Sequence, residues 1–71
     1  MPKLPCVSGA ETLKALTRLG FVLLRQKGSH AILRRGSQGC VVPMHHEISQ
    51  GTLRGVLKQA GVSEEEFKAK L

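Results

Sequence analysis

The chain has no tryptophan and no tyrosine, and its aromatic content is Phe21 and Phe67 alone. Modules that read single-stranded RNA by sequence stack splayed bases on aromatic rings, and that platform is missing here. Both phenylalanines fall where an apolar pattern calls for a core residue. Cysteine is scarce too: Cys6 and Cys40 stand far apart with no Cys-x-x-Cys spacing, so two free thiols are expected. No apolar run approaches the ~18 residues needed to span a bilayer. The first residues also lack the apolar stretch of a signal peptide, which makes the cytoplasm the expected location. Acidic residues number five against eleven Lys and Arg, for a formal net charge of +6. The excess lies in residues 1–62, which carry +7, whereas residues 63–71 carry −1. Such a balance favours nucleic acid or an acidic protein as partner, although an anionic membrane surface fits the charge equally well.

Seventy-one residues are expected to form a single domain, residues 1–71. At that size only roughly 60 to 65% of the unfolded chain's surface is buried, so the core is thin and a partner can add stability.

Residues 1–7 hold Pro2 and Pro5 and read as an irregular lead-in, with Val7 placed to staple against a helix. Ser8 and Glu11 are spaced as a capping box, Leu13, Leu16 and Leu19 recur on one face, and Gly20 is a left-handed terminator. Phe21 to Gln26 is short, apolar and bounded by glycine, which predicts a strand. Lys27-Gly28-Ser29 is a reversal, His30 to Arg35 a second strand, Gly36 to Gly39 another reversal, and Cys40 to Pro43 a third strand ended by proline. This is an antiparallel meander. Ser49 caps a further helix with an apolar stripe of Leu53, Val56, Leu57 and Ala60, stopped by Gly61. Ser63 and Glu66 make a second capping box for a short terminal helix, with Phe67 and Leu71 four apart to fold it back.

Alternation puts His30, Ile32 and Arg34 on one side of the second strand and Ala31, Leu33 and Arg35 on the other. The Ala31/Leu33 side is the better core, which leaves His30 and Arg34 on an open face beside Lys27. Ile32 is the awkward residue of that assignment.

RNA carries its own nucleophile, the 2′-hydroxyl. A ribonuclease therefore needs a base to activate it, a proton for the leaving 5′-oxygen, and cations for the charge that builds on phosphorus. Histidine, with an unperturbed pKa of ~6.5, can both take and give protons near neutrality. His30 fits that role, with Lys27, Arg34 or Arg25 as cations; the competing reading is a polar residue that merely starts a strand. His45 and His46 precede Glu47 on a loop, where either is a candidate second proton carrier; their spacing with the cysteines matches no metal template. Gly36 to Gly39 lacks the lysine and threonine of a nucleotide loop and reads as a hairpin turn. Arg54 and Lys58, four apart on the second helix opposite its apolar stripe, track a phosphate backbone, contact an acidic partner, or are simply a solvated face.

Taken together, Leu19-Gly20-Phe21, Arg25-Gln26-Lys27-Gly28-Ser29-His30, Val42-Pro43 with His45, and Gly51-Thr52-Leu53 running to Gln59-Ala60-Gly61 resemble the HicA toxin family, small mRNA interferases of toxin–antitoxin pairs. The resemblance covers nearly the whole chain. It implies an α+β fold like the double-stranded-RNA-binding domain, α-β-β-β-α with a three-stranded antiparallel sheet and helices on one face. It further implies metal-independent endoribonuclease activity on mRNA with no cofactor, His30 as the catalytic residue, and a HicB-like antitoxin that covers the active surface. Roles in RNA binding for Lys27, Ser29, Arg25 and Arg34, and for His45 as second proton carrier, come from the residues themselves. The alternative is a non-catalytic RNA-binding module of the same fold. A toxin that has lost its activity and survives as an antitoxin partner is a third reading.

Overall fold

The computed structural model describes residues 4–71, so the first part of the lead-in, including Pro2, lies outside the described residues. The order is α1 (Gly9–Arg18), β1 (Val22–Lys27), β2 (His30–Arg35), β3 (Gln38–Pro43), α2 (Gln50–Ala60) and α3 (Glu64–Ala69). The sheet is three-stranded and antiparallel with β2 in the middle. The α+β architecture and the α-β-β-β-α order therefore stand, with α3 as the short terminal helix.

Each helix begins where the sequence supplies a cap. Ser8 and Glu11 satisfy each other's backbone N–H at 3.1 and 2.9 Å, and Ser63 and Glu66 do the same at 3.1 Å each. Ser49 caps α2 through the Thr52 N–H, and Gly61, at φ 70°, ends it. Thr12, the one buried polar residue among those described, gives its hydroxyl hydrogen to the Ser8 carbonyl at 2.9 Å.

Helices cover one face of the sheet. Ala31, Leu33, Cys40 and Val42 from the strands meet Leu16, Leu53, Leu57, Phe21 and Phe67 in one cluster. Both phenylalanines are core residues, as their positions in the sequence indicate.

Several boundaries differ from the sequence reading. Both hairpin turns are tighter than expected, Gly28-Ser29 and Gly36-Ser37, so Lys27 belongs to β1 and β3 starts at Gln38. Glycine at the first turn position, with φ near 60° at Gly28 and Gly36, makes such two-residue turns cheap. Val7 is buried in the core cluster with Ala15 and Leu16 of α1 and pairs its backbone with Ile48. Leu71 lies past the end of α3 and is 44% exposed, so Phe67 is the buried residue of that helix, at whose end the Lys70 carbonyl also accepts from Arg18 Nη1 at 2.7 Å. In α1, Thr12, Ala15 and Leu16 are buried while Leu13 and Leu19 only flank the core.

Candidate active site

The face of the sheet away from the helices carries the candidate residues. In β2, Ala31 and Leu33 are buried while His30 and Arg34 are exposed and Ile32 is half-buried. In an antiparallel ladder, directly paired residues project on the same side. Lys27 is paired with His30 and His30 with Pro43; Arg25 is paired with Ile32 and Ile32 with Val41. His30, Lys27, Arg25 and Arg34 thus share one face.

That grouping depends on an irregularity in β1. The register shifts between Leu23 and Arg25, so Leu24 is an extra residue in the ladder. Strict alternation from Val22, which pairs with Arg34, would send Leu24 and Gln26 to the open face and Arg25 and Lys27 to the core side. The bulge reverses this and delivers both cations beside His30 and Ile32. Ser29 occupies the turn next to His30, and its carbonyl accepts the Met44 N–H at 2.6 Å, which ties the hairpin to the loop after β3.

His30 also borders an open cleft of about 360 Å³ between β3 and α2. Val41 and Pro43 line it from the sheet, and Thr52, Gly55, Val56 and Gln59 from the helix. A second hollow, bounded by Leu24, Ile32, Arg34, Val41 and Gln59, adjoins the first through the last two residues. None of these linings contains an acidic residue.

His45 stands elsewhere. With Ser8, Ala10, Met44 and His46 it lines a separate hollow at the start of α1, and His30 is not part of it. The loop there is held tightly: the Gly9 N–H donates to the His45 carbonyl at 2.9 Å, and a Cβ on Gly9 would come within 2.5 Å of the Pro43 oxygen. Among the described residues no group of three His, Cys, Asp or Glu comes together at metal-binding distance. Arg54 of α2 forms an ion pair with Glu64 of α3 at 3.5 Å. Both partners are about half exposed, so its energetic worth is small.

Two features of this surface escape a reading by strands alone. Thr52, Gly55, Val56 and Gln59 recur at three- and four-residue spacing and form the helical wall beside His30. Their period was visible in the sequence, but nothing there said which sheet edge α2 would border. The apolar side chains of the open face form the second feature: Val22 is 61%, Leu24 55% and Val41 40% exposed, next to Ile32.

Residues 9–62 match the family described as HicA toxin of bacterial toxin-antitoxin. That is more than half of the 71-residue chain, and the chain belongs to the HicA toxin family. Its role is that of the toxin of a toxin–antitoxin pair, and an antitoxin is its implied partner. No match to an individual curated protein adds to this. Among the described residues no helix is long and apolar enough to cross a membrane.

Proposed function

We propose that the chain is a metal-independent endoribonuclease that cuts mRNA, with His30 as the proton-transferring residue. The observation that carries this reading is an exposed imidazole on an open sheet face, directly opposite Lys27 and flanked by Arg25 and Arg34. The His30 imidazole takes the proton of a ribose 2′-hydroxyl as that oxygen bonds to phosphorus. The bond from phosphorus to the 5′-oxygen breaks, the 5′-oxygen gains a proton from the protonated imidazole or from water, and a 2′,3′-cyclic phosphate and a 5′-hydroxyl end remain. Lys27, paired across the ladder with His30, balances the charge on the phosphoryl oxygens, and Arg34, further along β2, holds the strand at a point away from the cut. Ser29 and Arg25 hold the strand beside them. His45, in its own hollow, reaches the reaction only if the RNA bends past Pro43.

The same face is the surface a HicB-like antitoxin covers. Val22, Leu24, Ile32 and Val41 expose apolar area that RNA phosphates leave unpaired, and a partner with apolar and acidic groups fills it. The setting is the cytoplasm, where mRNA and antitoxin both occur.

The test is the chemistry of the products. Free protein incubated with a defined RNA in the presence of EDTA is expected to leave 2′,3′-cyclic phosphate and 5′-hydroxyl ends. RNA recovered intact, but bound, favours the non-catalytic RNA-binding module.

A further inference from the structure

On the reading that the open face handles RNA, the geometry points to Gln59 of α2 as a substrate-positioning residue. We propose that the strand cut at His30 runs along the trough between β3 and α2, where the Gln59 side-chain amide donates to it and Gly55 leaves room for its approach. Gln59 sits at the junction of the two hollows, one reaching His30 and the other Arg34. Those two residues are four apart on β2, a distance of about 13 Å at the usual rise of a strand. A strand joining the imidazole to the Arg34 guanidinium therefore passes the Gln59 side chain. The Gln59 Oε1 accepts the Val41 N–H in a long bond of 3.5 Å, which orients the side chain and leaves its two N–H donors for a ligand. The trough floor of Val41 and Pro43 is apolar, as suits a sugar or base face, and its walls hold no carboxylate to repel phosphate.

Gly55 is unexplained by the protein's own packing. It lies within α2, and a Cβ built there meets nothing within 4 Å. Glycine inside a helix is destabilising relative to alanine, so internal stability gives no reason for it. A side chain at this position would project into the cleft beside His30.

The experiment measures the affinity of wild type, Gly55→Leu and Gln59→Glu for a single-stranded RNA carrying 2′-O-methyl riboses, which cannot be cut. Gln59→Glu keeps the acceptor for Val41 and removes the donors; Gly55→Leu fills the trough with a good helix former. Each is expected to raise Kd by about tenfold or more without lowering the melting temperature, and Gly55→Leu to leave the salt dependence of binding as it was. Either variant binding within about twofold of wild type overturns the proposal, as does a wild type that does not bind this RNA. A wild type that binds through the trough but leaves cleavable RNA intact removes the nuclease reading and keeps this one. Cleavage that persists unchanged in both trough variants, with unchanged binding, does the reverse.

Discussion

Arg34 and Arg35 are adjacent in β2 and leave it on opposite sides. The Arg35 guanidinium carbon lies 4.7 Å from the centroid of the Phe21 ring, and its Nη1 donates to the Leu19 carbonyl at 2.9 Å. Arg34 is exposed on the His30 face. Two like charges in sequence are thus one structural clamp on the end of α1 and one free cation.

The two arginines should respond differently to removal. Arg35→Ala loses a cation–π contact and a charge-assisted hydrogen bond and is expected to cost about 1–3 kcal/mol of stability, read by chemical denaturation, with RNA affinity retained below its melting point. Arg34→Ala is expected to leave stability within about 0.5 kcal/mol and to weaken RNA binding. Equal effects of the two on affinity would contradict the assignment of faces.

Lys27, across the ladder from His30, is expected to contact phosphate. Lys27→Ala should lower the slope of log affinity against log salt on single-stranded RNA by roughly 0.7, the value for one phosphate contact. An unchanged slope would remove Lys27 from the RNA-binding set.

Gly9 is where α1 docks against the loop after β3. Its Cβ in an alanine variant would meet the Pro43 oxygen at 2.5 Å and the Met44 Cα at 2.6 Å, both backbone atoms that cannot swing aside. Gly9→Ala is therefore expected to destabilise by about 1–3 kcal/mol, despite the higher helix propensity of alanine. A melting temperature at or above wild type would show that this contact yields easily.

Glu66 is held below its ordinary value of 4.5 by the Ser63 backbone N–H it accepts, then by the Ser63 side chain, with the Arg35 charge adding a smaller pull. A carboxylate depressed in the folded state contributes stability that is present above the ordinary value and lost as pH falls through the depressed one. The stability gap between wild type and Glu66→Gln should then narrow as pH is lowered below 4.5. A gap independent of pH would show that the capping carboxylate is not the source.

The helices were legible because their ends are written in the chain: Ser8 with Glu11, Ser49, Gly61 and Ser63 with Glu66 are local signals whose partners lie within one turn. The alternation of β2 also placed His30 and Arg34 on one side and Ala31 and Leu33 on the other. Lys27 reached the His30 face for a different reason than its position beside the turn suggested, since it is a strand residue turned by the bulge at Leu24. A bulge arises from how two strands pair, and β1 alone does not announce it. Likewise Ile32, awkward on an open face when read by itself, joins Val41 and Leu24 in an apolar patch that only the paired strands bring together. The trough wall of Thr52, Gly55 and Gln59 belongs to this class too, because it depends on where α2 lies beside β3. Cys40 was read as a free thiol and is one, but its burial, which raises its pKa and shields it, needed the sheet's partner layer.

The most direct test of His30 as the proton-transferring residue is a time course of RNA cleavage by wild type and His30→Ala side by side in EDTA, with equal folding checked by circular dichroism. Loss of a general acid–base group predicts a rate lower by about 10²–10⁴-fold in a variant that folds and binds RNA as before. Cleavage by His30→Ala at the wild-type rate would contradict the account.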